Sequence, residues 1–138
     1  FYSSTDGLNY TLISPSYPGL DNSSIGRVEF AASAISSDTF YVLLNNQYSF
    51  PTGAEIYKTT DSFTTLTKLN EPNDADLGIP DTDFTRGQAF YDLEIEIDPN
   101  NEDIVYVGGI NLFRSTDGGD NWSQITKWSN NPNQETLA

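Results

Sequence analysis

The sequence predicts an all-β chain built from repeated four-stranded antiparallel units, and two observations support this fold class. The turn motif Ser115-Thr116-Asp117-Gly118-Gly119-Asp120-Asn121-Trp122 has weaker copies around Asp61 and Asp6, so its aspartate recurs at intervals of 56 and 55 residues. In addition, residues 27–42 align with residues 92–107 without a gap, and apolar residues alternate with more polar ones in both. Such alternation is typical of half-buried strands, and a fixed period indicates a repeat architecture.

The alignment divides each unit into four short strands. The first complete unit has predicted strands at residues 28–32, 39–44, 56–59 and 66–69, and the second has them at 93–97, 104–107, 112–115 and 122–126. Turn-forming residues separate the first two strands of each unit. A meander of four short strands is the blade of a β-propeller, so we predict an incomplete propeller ring of about two and a half blades.

The repeat also predicts the organisation of the chain. Residues 1–20 form the end of a first blade and a link, and residues 21–80 form a second blade with a long loop between its second and third strands. Residues 81–138 form a third blade with the strongest turn motif. An open ring leaves unpaired strand edges. We therefore expect the chain to be part of a longer protein, whose remaining propeller is its first partner.

The turn motif has a structural reason to recur. Gly118 and Gly119 can adopt the positive φ that a tight turn between strands requires. Ser115 and Asp117 can form hydrogen bonds with the turn backbone. The second copy departs from the motif, because Phe63 and Leu66 replace its second glycine and its tryptophan. We assign a structural role to eight motif residues: Ser115, Asp117, Gly119, Trp122, Thr59, Asp61, Ser4 and Asp6.

The motif resembles the Asp-box (BNR repeat) of sialidases, xyloglucan-active glycosidases and sortilin-like propellers. Residues 86–128 are similar, more specifically, to the propellers of large secreted proteins carried by the type IX secretion system of Gram-negative bacteria. The resemblance implies a bacterial protein that is secreted or on the cell surface. It also implies that the boxes lie on the propeller rim, away from the active or binding centre.

Composition excludes several classes of function. The chain has 20 acidic and 6 basic residues and a formal charge of −14, whereas nucleic-acid binding needs clustered Lys and Arg. It has no Cys and no His, which excludes thiolate or imidazole metal sites and a Ser-His-Asp triad within these residues. No apolar run is long enough to span a bilayer, so we expect no membrane insertion. We predict no cofactor and no catalytic residue.

The acidity itself has two interpretations. The first is a well-solvated extracellular surface. The second is calcium binding, because Asp74, Asp76, Asp81 and Asp83 lie close in sequence and carboxylates are the ligands that calcium prefers. Their spacing matches no standard calcium loop, so the metal stays a weaker alternative.

Candidate binding residues lie in the long irregular stretches. In a meander, residues 14–26, 45–53 and 70–90 emerge on one face, while the motif turns emerge on the other. Loops on a rigid scaffold commonly carry binding residues. We expect ligand-binding residues at Tyr48, Phe50, Asp81, Asp83, Arg86 and Tyr91. The alternative is that Tyr48 and Phe50 only pack the loop, and that Tyr91 only begins an inner strand.

Three functions remain open. The first is a non-catalytic segment of a secreted or cell-surface propeller, exported by a type IX-like route, for adhesion to or recognition of glycans or proteins. Its partners would be a glycan, a surface protein or the secretion machinery. The second is part of a sialidase-like or xyloglucanase-like glycoside hydrolase, which needs two carboxyl groups about 5 to 9.5 Å apart. The third is a structural spacer in a large surface protein.

Overall fold

The computed structural model describes residues 2–19, 21–46, 53–81 and 83–128, apart from the side chain of Asn22. Within these residues, a short 3-10 helix at Asn22–Ser24 precedes the third of ten strands. The strands are β1 (Tyr2–Ser3), β2 (Thr11–Leu12), β3 (Ile25–Ala32), β4 (Phe40–Asn46), β5 (Ala54–Thr59), β6 (Thr67–Lys68), β7 (Glu94–Asp98), β8 (Asn101–Gly108), β9 (Leu112–Ser115) and β10 (Ser123–Gln124). None of the described helices has the length and apolar character to cross a membrane.

The strands form three antiparallel sheets in which sequence neighbours pair. β1 pairs with β2, the middle sheet has the order β3-β4-β5-β6, and the last sheet has the order β7-β8-β9-β10. The predicted all-β class and the meander order are therefore confirmed. The boundaries differ from the prediction at several ends. β8 begins earlier, at Asn101, because Asn101 pairs with Asp98 across the tight turn that joins β7 to β8.

The middle sheet is covered on both faces. All four residues from Tyr41 to Leu44 in β4 have no exposed surface. Because side chains alternate along a strand, Tyr41 and Leu43 point to one face and Val42 and Leu44 to the other. The first pair belongs to an apolar cluster shared with the last sheet, and the second pair belongs to a cluster that includes Tyr17. The middle sheet is therefore sandwiched between two layers, as a propeller blade is.

The larger apolar cluster joins the middle and last sheets. Each sheet contributes strands to it, and the segment before β7 contributes Phe84, whose ring makes an edge contact with Phe113 at 5.6 Å. The buried members are Ala31, Tyr41, Leu43, Ala54, Ile56, Phe84, Ala89, Leu93, Ile95, Ile97, Val105, Val107 and Phe113. These two sheets therefore share one apolar core.

Hydrogen bonds also connect the middle sheet, and the link that follows it, to the last sheet. The buried Tyr41 hydroxyl lies 3.1 Å from the carbonyl oxygen of Glu102 and 3.2 Å from that of Gly118. The Trp122 indole donates a 2.9 Å bond to the carbonyl of Asn70, whose amide group donates a 2.8 Å bond to the carbonyl of Asp120. The two sheets are therefore held by polar as well as apolar contacts.

The motif turn of the last sheet is closed by its own side chains. Ser115 Oγ donates to Asp117 Oδ1 at 2.8 Å and accepts the backbone N–H of Gly119 at 2.8 Å, while Asp117 Oδ1 accepts the N–H of Asn121 at 2.9 Å. The Asn121 side-chain amide donates a further 2.8 Å bond to Asp117 Oδ2, and this bond, followed by those from the Asn121 N–H and the Ser115 hydroxyl, lowers the pKa of Asp117 to about 2. A carboxylate used in this way stabilises the turn backbone.

The two weaker copies of the motif form the same hydrogen bonds. Thr59 Oγ1 donates to Asp61 Oδ1 at 2.8 Å, and that carboxylate accepts the N–H of Thr65 at 2.9 Å. Ser4 Oγ donates to Asp6 Oδ1 at 3.1 Å, and that atom accepts the N–H of Asn9 at 2.8 Å. The turns at Asp61 and Asp117 thus share one local structure, and the turn at Asp6 is a version that is one residue shorter.

The connections separate into two faces. The N–H of Gly118 donates to the carbonyl of Asp103, and the N–H of Ser62 donates to that of Asp38, so each motif turn adjoins the turn between the first two strands of its sheet. We call this side the turn face. On the opposite side, the loop face, Gly53 and Gly109 from the ends of two hairpins both pack against Thr85. A Cβ atom at Gly109 would lie 3.1 Å from Thr85 Cα, which is closer than most Cβ contacts, so this approach favours glycine.

The junction between sheets is testable through the Tyr41 hydroxyl. Replacing Tyr41 with Phe keeps the ring but leaves two buried carbonyl groups with one donor fewer, which should lower the free energy of unfolding by about 1 kcal/mol. Urea denaturation measures the change. Tyr106→Phe is the matched control, because its half-buried ring is on β8 and the expected change is below about 0.5 kcal/mol. Equal stability of Tyr41→Phe and the parent would contradict this interpretation.

Candidate functional site

The loop face is built around the link between β6 and β7. Consecutive turns fix its backbone: the N–H of Asp83 donates to the carbonyl of Pro80, that of Arg86 to Asp83, and that of Tyr91 to Gln88. Phe84 is fully buried and anchors the link to the core. Arg86 has a φ of 54°, which is uncommon for a residue with a Cβ atom. The link is therefore a folded element that positions its side chains.

Arg86 is held by two aspartates of the same link. Its Nε donates to Asp74 Oδ2 at 2.9 Å, its Nη2 donates to Asp74 Oδ1 at 3.0 Å, and it also contacts Asp76. Asn111 donates a 3.0 Å bond to the same Asp74 carboxylate, and the Trp128 ring centroid is 5.7 Å from the guanidinium carbon. Burial lowers the pKa of Arg86, but the hydrogen bonds to Asp74 and Asp76 outweigh it and raise the pKa.

This arrangement changes the interpretation of Arg86. The sequence suggested a cation directed at a ligand, whereas the Arg86 side chain is 12% exposed and its donors are engaged by protein carboxylates. Pairing is the usual state of a buried guanidinium, since an unpaired buried charge is costly. Arg86 therefore fixes the first half of the link to the second. Sequence analysis had no signal for the partner, because Asp74 is one of several nearby acids.

The calcium alternative has no support in the described part of the chain. No group of three or more Asp, Glu, His or Cys side chains there is arranged to hold a metal ion. Asp74 and Asp76 are directed at Arg86, and Asp81 is exposed. Asp83 is buried and accepts a 2.7 Å bond from the Thr85 hydroxyl.

A carboxyl cluster, formed by Glu55, Glu71 and Asp83, lies next to the link. Glu55 on β5 is only 4% exposed, accepts a 3.3 Å bond from the Asn46 amide and forms an ion pair with Lys68. The Glu71 side chain is 14% exposed and lies 3.9 Å from the same Lys68 ammonium group. Glu55 and Glu71 thus share one cation, Lys68, and the negative charge of Asp83 also acts on Glu71.

Within the carboxyl cluster, Glu71 has a strongly shifted pKa. Burial is the largest cause, and the negative charges of Glu55 and Asp83 add to it, while Lys68 acts in the opposite direction; together they raise the pKa of Glu71 to about 7. Its Oε2 atom is buried and has no hydrogen-bond partner among the described residues. A carboxyl group that keeps its proton near neutral pH, beside a paired carboxylate, can act as a general acid.

Sequence analysis named Asp83 as a ligand-binding residue and did not name Glu55 or Glu71. The segment Ala54-Glu55-Ile56-Tyr57 has a charged residue inside an otherwise apolar strand. This was a local signal that Glu55 has an unusual environment. Glu71 carried no local signal, because it follows β6 in a polar segment. Its environment comes from contacts with residues on other elements.

Two exposed aromatic side chains complete the loop-face candidates. Phe90 is 67% exposed and Tyr91 is 73% exposed, and their ring centroids are 6.5 Å apart. Arg27 donates hydrogen bonds to the carbonyl groups of Tyr91 and Leu93, which fixes the backbone beneath them. Tyr91, which sequence analysis named as a ligand-binding residue, is thus exposed beside Phe90, which it did not name. The predicted residues Tyr48 and Phe50 lie outside the described residues.

Two four-stranded meanders packed face to face, with their long connections on one side, define a β-propeller-like protein. No protein-family model matches the sequence, and comparison with curated proteins gives no match. Among solved structures, the chain is similar to the Niastella koreensis GH74 enzyme, with 22% identity over 77% of this chain and a TM-score of 0.52. It is also similar to the GH74 xyloglucanase from Xanthomonas campestris, with 19% identity over 68% of this chain and a TM-score of 0.46.

Both of these enzymes are much longer than this chain. The chain spans 15% of the length of the first and 13% of the length of the second. GH74 enzymes have β-propeller domains, so the likeness to the first of them supports a propeller-like fold.

The raised pKa of Glu71 predicts a specific pH dependence of stability. Its folded pKa of about 7 lies above the ordinary value of 4.5. The folded state therefore holds this proton more tightly than the unfolded state, and the resulting stabilisation is complete below pH 4.5 and lost as pH rises to 7. Glu71→Gln, which mimics the protonated form, should match the parent near pH 4 and exceed its stability at pH 8 by on the order of 3 kcal/mol.

Urea denaturation at both pH values measures this difference. Glu96→Gln on the exposed face of β7 is the matched control, for which we expect no such pH-dependent gain. A Glu71→Gln protein that is less stable than the parent at pH 8 would show that the fold does not raise the pKa of Glu71.

Proposed function

We propose that this chain forms part of a β-propeller glycoside hydrolase, in which Glu71 supplies the proton for the leaving sugar. The observation that carries the proposal is geometric: the Glu71 side chain is only 14% exposed, its buried Oε2 has no hydrogen-bond partner among the described residues, and it shares Lys68 with Glu55. This burial raises the pKa of Glu71 to about 7. The fold likeness to a GH74 enzyme supports the same class. This reverses the preference drawn from sequence, where recognition without catalysis came first.

The chemistry of glycoside hydrolysis fits this pair of environments. A protonated carboxylic acid must donate its proton to the glycosidic oxygen, while a second, ionised carboxylate acts as base or nucleophile. Glu71 retains its proton because of burial and the charges of Glu55 and Asp83. Glu55 is a positioning residue, since it interacts with Glu71 and Lys68. The second catalytic carboxylate is expected from the remaining blades.

The exposed aromatic pair provides a surface for the sugar. Phe90 and Tyr91 present apolar ring faces with one hydroxyl group, and aromatic rings of this kind pack against pyranose rings. Because the pair precedes β7, it is fixed to the first strand of a blade. We therefore propose Phe90 and Tyr91 as substrate-positioning residues.

A second candidate function is glycan or protein recognition without turnover. The exposure of Phe90 and Tyr91 favours it, because binding by these rings needs no acid. In this form the protein would be a bacterial secreted or cell-surface propeller, exported by a type IX-like route, as the motif resemblance suggests. The structural-spacer alternative would leave the aromatic pair without a ligand.

Hydrolysis by the complete protein tests the proposal. We expect it to release reducing ends from a soluble polysaccharide in a panel of xyloglucan, mixed-linkage β-glucan and sialylated glycans. Glu71→Gln should lower kcat by about 100-fold or more, as loss of a general acid does. In the parent, kcat should fall as pH rises through about 7, because Glu71 then loses its proton.

The controls separate the candidate functions. Glu96→Gln should keep the parent kcat, because Glu96 lies on the exposed face of β7. Binding of a glycan without release of reducing ends, with the affinity lost in Tyr91→Ala, would replace the hydrolase proposal with recognition. Full turnover in Glu71→Gln would refute the assigned proton donor.

A further inference from the structure

The turn face contains a cavity that the proposed hydrolase does not use. It lies between the β1-β2 sheet and the middle sheet and has a volume of about 460 Å³. Its walls carry four aromatic side chains: Tyr2, Phe30, Phe40 and Phe63. This volume is within the range of small-molecule binding pockets. We call it the turn-face cavity.

The cavity at the junction between the middle and last sheets has a different size and lining. The corresponding cavity there is smaller, about 300 Å³, and its lining includes the charged residues Lys58, Asp117 and Asp120. Leu69 packs directly on Gly119, where a Cβ atom would lie only 2.6 Å from Leu69 Cδ1. The repeat itself therefore does not require an uncharged aromatic cavity at a junction.

The difference arises from the departures of the second turn motif. Phe63 occupies the position of Gly119, and Leu66 occupies that of Trp122, which in the last sheet bonds to Asn70 at the junction. Phe63 instead directs a ring to the cavity and packs on Phe40, with ring centroids 4.9 Å apart. The substitution thus changes a turn position into an aromatic wall.

The backbone shows that this substitution has a cost. Ser62 has a φ of 54° and Phe63 a φ of 70°, whereas the equivalent residues Gly118 and Gly119 have 75° and 97°. Residues with a Cβ atom are strained in this region, and a bulky one is a clear outlier. Strain of this kind is found preferentially where a side chain serves a function. Phe63 is therefore placed at the cavity against the local preference of its backbone.

The lining specifies the chemistry of the occupant. Four serines line the cavity beside the rings: Ser3, Ser4, Ser37 and Ser62. None of the described lining residues is charged, although the chain has a net charge of −14. The Ser4 and Ser62 hydroxyls donate within the protein, to Asp6 and Asp38. Ser3 and Ser37 are exposed and offer hydroxyl groups to a ligand. Apolar ring faces beside hydroxyl groups suit a neutral ligand that is itself both apolar and hydroxylated.

We propose that the turn-face cavity is a binding site for a neutral pyranose sugar. The sugar ring stacks on Tyr2 and Phe63, and its hydroxyl groups form hydrogen bonds with Ser3 and Ser37. A charged sugar is disfavoured, because none of the described residues that line the site is basic and could pair with a carboxylate. The site is on the face opposite the carboxyl cluster, so it does not depend on the proposed hydrolase.

Saturation-transfer NMR with the complete protein tests the site. The probes are methyl β-glucopyranoside and cellotriose, with glucuronate as the charged comparison. All measurements use a Tyr91→Ala background, so that the loop-face rings do not contribute. We expect transfer to the neutral sugars and none to glucuronate. Tyr2→Ala should weaken the binding at least tenfold, and Phe63→Gly, which restores the glycine of the last turn, should do the same.

A matched control and a folding check accompany these variants. Tyr10→Ala removes a tyrosine of similar exposure, 62% against 70% for Tyr2, that does not line the cavity, and it should bind as the background protein does. Phe63→Gly should keep the amide spectrum of β4 and β5, since it relieves backbone strain. The proposal is overturned by absence of transfer to both neutral sugars, by equal binding of glucuronate, or by undiminished binding in folded Tyr2→Ala and Phe63→Gly.

Discussion

The burial of β4 on both faces is the constraint on which the rest of the structure depends. A strand whose successive residues Tyr41, Val42, Leu43 and Leu44 are all fully buried cannot lie on a sheet with one solvent face. The last sheet covers one side of it, and the cluster containing Tyr17 and Leu66 covers the other. Stacking of sheets about a blade is the packing principle of a propeller. The hydrogen bond between the Tyr41 hydroxyl and the motif turn at Gly118 reinforces this stacking.

The same stacking creates the electrostatics of the loop face. The link between β6 and β7 crosses from one sheet to the next. It brings Glu71 and Asp83 near Glu55, where all three side chains are largely buried. Lys68 pairs closely with Glu55 only. Burial and like charge both disfavour a further negative charge, so the pKa of Glu71 is raised. The raised pKa of Glu71 thus results from the way the two sheets are connected.

Much of the fold could be predicted from sequence because its signals are local. Alternation located β3, β4, β7 and β8, and the repeated aspartates at positions 6, 61 and 117 fixed the register of the turns. The site was less predictable because its properties depend on long-range contacts. Arg86 was identified as a notable cation, but its engagement by Asp74 and Asp76 could not be read from spacing. The departure at Phe63 was visible in the sequence, whereas the cavity beside it required the packing of two sheets.

The most direct test of the two-faced blade compares Leu43→Ala with Leu44→Ala. These adjacent leucines on β4 are both fully buried and point to opposite faces. If layers cover both faces, each substitution should lower the free energy of unfolding in urea by about 2 to 5 kcal/mol. A large loss for one leucine and almost none for the other would contradict the sandwiched sheet, because it would show that one face of β4 is open to solvent.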